Sequence, residues 1–141
     1  MSFRPEALRG AASGDPPVGG QVTYRLARNA VVSEFHKGRL SRLDVCDAHP
    51  DLLRAARGVG EVTSEECPIC EETNLVLVSY AFGPGLPPSG RCVASKSELT
   101  RASRSSTGDV ACYVVEVCPS CAWNHLAHTF VLPRRRRRAE A

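Results

Sequence analysis

Two pairs of cysteines, each with two residues between them, constrain this chain more than any other feature. Cys67 and Cys70 form the first pair, in "CPIC", and Cys118 and Cys121 form the second, in "CPSC". A two-residue spacer lets a tight turn aim two sulfurs at one point, and Zn²⁺ takes four thiolates at about 2.3 Å in a tetrahedron. The two pairs therefore predict one shared zinc ion, although the interval between them is longer than the roughly 15 to 20 residues of short zinc ribbons.

The predicted zinc ion is structural, because protein sulfur fills all four positions and leaves none for an activated water. Trp123 follows the second pair directly. We interpret it as an apolar cover for the metal, in preference to an exposed anchor for a partner. His125 is predicted to lie beside the metal ligands, either as a hydrogen-bonding neighbour that orients them or as part of the cover.

Two other interpretations of the paired cysteines remain open. A C-x-x-C pair in a cytosolic protein is also typical of thioredoxin-like dithiols, whose first sulfur is activated at a helix N-terminus. The residues after Cys70 and after Cys121 look extended, which disfavours this chemistry. The second alternative is four buried, reduced cysteines without a metal.

Three further cysteines lie outside the pairs. Cys112 alternates with Val110 and Val114, which indicates a buried thiol on a strand. Cys92 follows a loop rich in glycine and proline, which favours exposure. Cys46 lies among acidic and histidine residues, and we predict that it packs against a helix; a second, weak metal site is the alternative.

The cysteine count also bears on the compartment. Seven cysteines, an odd number, in a chain without an export signal argue against a disulfide framework and for a reducing cytosol. No apolar run approaches the roughly 20 residues that span a bilayer. We therefore expect a cytoplasmic protein without a transmembrane segment.

The first half of the chain has helical patterns and the second half has strand patterns. Residues 21–37 carry apolar side chains at helical spacing, and Ser41 with Asp44 forms a capping signature. Pro50 is suited to the first turn of a helix. Strands are predicted in "NLVLVSYAF", "DVACYVVEV" and "HLAHTFVL", with a helix in "SKSELTRAS".

These patterns predict an α+β fold, in which short N-terminal helices pack on a three-stranded antiparallel sheet of the zinc-ribbon type. We divide the chain into a disordered arm at 1–20, a helical part at 21–60, a zinc-ribbon-like part at 61–132 and a basic disordered tail at 133–141. The arm is rich in glycine, proline and alanine, without the apolar periodicity needed to offset its ordering entropy.

Charge is distributed unevenly along the chain. Without the five arginines and one glutamate of the tail, 13 Lys and Arg stand against 14 Asp and Glu. The segment around the first pair has five carboxylates and no basic residue: Glu61, Glu65, Glu66, Glu71 and Glu72. Phosphate would be repelled there, so this segment suits a basic protein surface. The tail is the candidate phosphate-binding segment: Arg134, Arg135, Arg136, Arg137 and Arg138.

The sequence lacks the motifs of the common enzyme classes, including a glycine-rich phosphate loop, H-E-x-x-H and a nucleophile elbow. We therefore predict a non-catalytic adaptor that docks on a protein or ribonucleoprotein partner; its place in transcription or translation rests on analogy with other zinc ribbons. One alternative is a nucleic-acid binder that uses the basic tail and the first helix. The other is a thiol redox protein.

The segments "LDVCDAHPDLLRAARGVGE", "CPIC", "LVLVSYAFG" and "VVEVCPSCAWNHL" resemble a family of small actinobacterial proteins of unknown function. The resemblance covers residues 21–132, and "CxxCxWNHL" is its most specific part. It implies a zinc-ribbon-like structure and implies no reaction. Both ends of the chain fall outside it.

Overall fold

A six-stranded antiparallel sheet organises the protein. The computed structural model describes residues 21–134, so the predicted N-terminal arm and all of the tail after Arg134 lie outside it. The strands are β1 (Gln21–Thr23), β2 (Glu61–Glu66), β3 (Asn74–Phe82), β4 (Arg91–Val93), β5 (Val110–Val117) and β6 (Asn124–Leu132).

In the described part of the chain, four helices accompany the sheet: α1 (Arg25–His36), α2 (Arg42–Val45), α3 (Pro50–Val59) and α4 (Lys96–Ser105). Within residues 21–134, none of them has the length and apolar character needed to cross a membrane. The capping signature before α2 is confirmed, because the Ser41 hydroxyl accepts from the Asp44 amide and the Asp44 carboxylate accepts from the Ser41 amide. Pro50 opens α3, as its fixed backbone angle allows.

The strands follow the order β1-β6-β5-β3-β2, and β4 also pairs with β3. β2 and β4 share the outer edge of β3, where Glu61 lies opposite Leu77 and Val93 lies opposite Ser79. On the inner edge of β3, Val76 lies opposite Val117 of β5. Since the two central strands are antiparallel, the start of β3 and the end of β5 meet at one end of the sheet.

The predicted three-stranded sheet is wrong. β3, β5 and β6 lie where the sequence patterns place strands, but three further strands extend the sheet on both sides. β1 and β4 have only three residues each, which is too short for a periodic pattern to show. β2 reads "EVTSEE", and its acidic side chains hide a strand that backbone pairing with β3 defines.

The N-terminal segment differs from the helix predicted over residues 21–37. Its first three residues form β1, which pairs with β6 through Val22 and Thr129, and α1 begins only at Arg25. This pairing fixes how the helix is rotated on the sheet. Leu26, expected on the buried face, is 87 % exposed, whereas Val32 and Phe35 pack inward.

Three apolar clusters follow one another along the sheet. The cluster at the end where β3 begins includes two of the paired cysteines: Val45, Cys67, Ile69, Leu75, Cys118 and Trp123. The middle cluster packs α3 on the central strands, with Leu52 and Ala56 against Val78 and Val115. The third lies under α4, where Ala102 is fully buried. The cysteine pairs are therefore part of the core.

The middle cluster yields a first prediction. Val115 lies on β5 and is fully buried beneath α3. Val115→Ala should therefore leave a small cavity and lower the free energy of unfolding by about 2 kcal/mol. Val62→Ala is the matched control, because Val62 is 71 % exposed on β2 and its truncation should change stability by less than about 0.5 kcal/mol. Urea unfolding followed by circular dichroism measures both. Equal losses in the two variants would contradict the position of the core.

Candidate metal centre

Two similar turns carry the paired cysteines. The first cysteine turn (residues 67–73) joins β2 to β3, and the second cysteine turn (residues 118–123) joins β5 to β6. In each, the amide of the residue four places after the first cysteine donates to that cysteine's carbonyl at 3.0 Å, from Glu71 and from Ala122. Both donors have positive φ, +56° and +72°, which is uncommon for residues other than glycine. The two "CPxC" segments therefore adopt the same backbone conformation.

The register of the two central strands brings the turns together. β3 starts just after the first cysteine turn, and β5 ends just before the second, with Val76 opposite Val117. The two turns therefore lie side by side at the same end of the sheet. The long interval between the pairs is filled by β3, β4, α4 and β5, which leave this end and return to it.

The four paired sulfurs converge at this end. Every Sγ atom of Cys67, Cys70, Cys118 and Cys121 lies within 4.8 Å of the others. Cys67 Sγ is 3.7 Å from Cys121 Sγ, and Cys70 Sγ is 3.7 Å from Cys118 Sγ. A tetrahedron with metal–sulfur bonds of about 2.3 Å has edges of about 3.8 Å, so the spacing suits a four-thiolate metal ion.

The surroundings of the sulfurs favour a cation. The backbone amides of Ile69 and Cys121 point at Cys67 Sγ and Cys118 Sγ, each at 3.4 Å, and would offset thiolate charge. Burial raises the pKa of Cys67 to about 11, and burial also raises the pKa of Cys121. Against the effect of burial, hydrogen bonds from the Glu72 backbone and from neighbouring thiols lower the pKa of Cys70. Four crowded thiols cannot all ionise cheaply without a positive charge among them, and a metal ion supplies it.

A fifth sulfur adjoins the four. Cys46 ends α2, and its Sγ lies 3.5 Å from Cys121 Sγ. The sequence predicts only that Cys46 packs against a helix. Its contact with Cys121 spans 75 residues of chain and follows no periodic pattern, so no sequence signal predicts it. The alternative of a second metal site around Cys46 finds no support, since the described residues contain one group of three or more potential ligands, the four paired cysteines.

Trp123 lies beneath the centre and is 1 % exposed. It packs in the same cluster as Cys67 and Cys118, which is the position expected of a cover for the site. Its indole Nε1 donates to Glu116 Oε2 at 2.8 Å. The Glu116 carboxylate also accepts from Nε of Arg28 at 3.1 Å, and both of these side chains are only 6 % exposed. A buried ion pair thus holds the tryptophan.

The ion pair continues to the surface. Arg28 also contacts Glu65 Oε1 at 3.2 Å, and the same oxygen accepts a 2.7 Å hydrogen bond from Arg25 at the surface. Hydrogen bonding to Arg25 lowers the pKa of Glu65. This network joins α1, β2 and β5 beside the centre. Arg25 and Arg28, both on α1, are thus already paired with carboxylates, which leaves them less suited to bind phosphate as the nucleic-acid alternative requires of the first helix.

His125 contacts Trp123 and not the sulfurs. The two rings stack with centroids 6.0 Å apart, and His125 Nδ1 hydrogen-bonds the Leu126 carbonyl at 2.8 Å. Burial lowers the pKa of His125, which keeps the ring neutral near pH 7. It therefore packs on the side chain that covers the site, and a role in orienting the metal ligands stays a prediction.

The remaining predicted residues lie apart from the centre. Cys112 is buried on β5, and burial raises its pKa to about 12. Cys92 is half-buried on β4, where exposure was expected. In the predicted phosphate-binding segment, Arg134 lies within the described residues, and its backbone amide donates to Asp109 at 2.7 Å. Residues 135–138 lie outside them.

Comparisons with known proteins agree with one another. A family model described as "Family of unknown function (DUF5318)" matches residues 19–141, so the match includes the arginine tail that the resemblance left out. Uncharacterized proteins of Mycobacterium tuberculosis and Mycobacterium bovis are 41 % identical over 112 residues, which is 79 % of this chain and 80 % of each relative. No solved structure matches the chain.

The buried ion pair gives a second prediction. Glu116→Gln should lower the free energy of unfolding by about 3 kcal/mol, because it leaves the buried guanidinium of Arg28 without its closest counter-charge. Glu65→Gln, in a side chain that is 43 % exposed, should cost less than about 1 kcal/mol. Trp123 is the only tryptophan, so its fluorescence during urea unfolding reports on both variants. If both variants lose the same free energy of unfolding, burial of the Arg28–Glu116 pair does not determine the cost of removing the charge.

Proposed function

Because the chain belongs to the DUF5318 family, a family of unknown function, we propose a function from the geometry of the centre: a non-catalytic, zinc-dependent adaptor that docks on a basic protein surface. One observation carries the metal part of this proposal. Four sulfurs from two turns that are distant in sequence lie within 4.8 Å of one another, and the two closest approaches between the turns, both 3.7 Å, match the edge of a thiolate tetrahedron of about 3.8 Å. Zinc fits such a closed sulfur site, which offers the metal no open position for a substrate.

The role of the zinc ion is to join two hairpins. β2 with β3 and β5 with β6 each end in a cysteine turn, and the sheet hydrogen bonds between β3 and β5 begin only at Val76 and Val117. Beyond that pair, the sulfurs are the main link between the turns. Metal binding to such a site contributes folding free energy directly.

Zinc content tests the metal part of the proposal. The purified full-length chain should hold one zinc ion in native mass spectrometry, and Cys67→Ser should lose it and unfold at lower urea concentration, because three thiolates bind zinc far more weakly than four. Cys112→Ser is the matched control, since Cys112 is equally buried but belongs to a different part of the core. Iron in place of zinc would correct the identity of the metal. Absence of any metal from the wild-type chain would refute this part of the proposal.

The docking surface is the acidic edge of the sheet beside the centre. β2 is an edge strand whose outer side has no strand partner within residues 21–134. Four carboxylates on β2 and the first cysteine turn are exposed and take no part in an ion pair among these residues: Glu61, Glu66, Glu71 and Glu72. Val62 is exposed between them. Four zinc-bound thiolates would add a net charge of about −2, so the edge suits a basic protein segment and repels phosphate.

Affinity capture tests the docking surface. The wild-type chain should retain a stoichiometric protein partner from a native lysate after nuclease treatment, and high salt should release it, because exposed charges are screened. Replacing Glu61, Glu66, Glu71 and Glu72 with glutamine should abolish capture of that partner while zinc content stays unchanged. Glu34→Gln, on α1, is the control and should retain it. Capture that survives the fourfold change, or that disappears with nuclease, would contradict a protein docked on this edge.

A further inference from the structure

We infer that Cys46 and Cys121 form an oxidisable thiol pair, through which a peroxide releases the metal from the centre. Their Sγ atoms are 3.5 Å apart, the shortest sulfur–sulfur distance among the described cysteine contacts. A disulfide bond is about 2.05 Å long, so the sulfurs have to approach by about 1.5 Å. The release of metal rests on the proposed zinc site, whereas the pairing of the thiols does not.

The backbone holds Cys46 against the second cysteine turn. The Ala48 amide donates to the Ala122 carbonyl at 3.0 Å, and the Asn124 side chain donates to Asp47 at 3.1 Å. Both bonds lie on the C-terminal side of Cys46 and of Cys121, within three residues of each cysteine. They hold the two segments together directly beside the two sulfurs.

Cys46 is the sulfur best placed to react first. It lies outside the group of four, so a bound metal does not take up its electron pair. Both Cys46 and Cys121 are half-buried, whereas Cys67 and Cys118 are buried. A partly exposed thiol that is not bound to a metal is open to oxidation, and a second thiol in contact with it can convert the resulting sulfenic acid to a disulfide.

The oxidation balances with one molecule of hydrogen peroxide. The Cys46 sulfur attacks one peroxide oxygen, the O–O bond breaks, and a sulfenic acid and one water form. The Cys121 sulfur then attacks the sulfenic sulfur, the S–O bond breaks, and the oxygen leaves as a second water. Two thiols lose two electrons, and the peroxide gains them. Cys121 in a disulfide would no longer be a thiolate ligand, so the three remaining thiolates would hold a metal ion more weakly and would release it more readily.

The experiment treats the zinc-loaded full-length chain with hydrogen peroxide. A chromogenic chelator follows zinc release, and mass spectrometry of unreduced peptides maps disulfides. The wild-type chain should form the Cys46–Cys121 disulfide as zinc appears. Cys46→Ala should start with one zinc ion and release it roughly tenfold more slowly, because direct oxidation of bound thiolates remains as the slower route. Cys92→Ala, which removes another half-buried thiol, should release zinc at the wild-type rate.

Three results would overturn the inference. They are equal release from Cys46→Ala and wild type, a disulfide map without the Cys46–Cys121 link, and a Cys46→Ala chain that lacks zinc before oxidation, which would make Cys46 a ligand. Zinc content before peroxide treatment tests the proposed function separately. If the wild-type chain holds no zinc, the disulfide map of the same protein still decides whether this thiol pair exists.

Discussion

The pairing of β3 with β5 is the constraint on which the rest of the structure depends. Its register sets Val76 against Val117, and this places the two cysteine turns at one end of the sheet with their sulfurs 3.7 Å apart. A shift by one residue would turn every side chain of β3 to the other face and separate the sulfurs. Packing of α3 on the middle cluster supports this register from one face. The convergence of the four sulfurs is therefore a consequence of the sheet register.

Local signals explain what the sequence could predict. The "CPxC" turns, the helix starts at Ser41 and Pro50, and the central strands are each specified by neighbouring residues, and all are found. The missing strands depend on partners distant in sequence: β1 is three residues long and forms because β6 is beside it. The contact of Cys46 with Cys121 is equally non-local. Neither segment has a periodic pattern that predicts the contact between Cys46 and Cys121, so the contact is visible only in the structure.

The buried ion pair between Arg28 and Glu116 is the clearest case in which the expectation from sequence is wrong. Charged residues on a helix and a strand are expected at the surface, yet both side chains are 6 % exposed. A buried ion pair adds little net stability compared with an apolar pair, because desolvation offsets attraction. It does fix geometry, since Glu116 can satisfy both the guanidinium and the Trp123 indole in one arrangement. The pair thereby orients the tryptophan that covers the sulfurs.

The two cysteine turns share one backbone shape, but their surroundings differ. The first turn carries the exposed carboxylates of Glu71 and Glu72. The second lies against Cys46, whose Sγ is 3.5 Å from Cys121 Sγ. In the two proposals made above, a charged partner and a small neutral oxidant would meet different sides of one centre, the partner at the acidic side and the oxidant at Cys46. Since one cluster of sulfurs joins both turns, loss of the proposed metal ion through oxidation at the second turn would also loosen the acidic edge at the first.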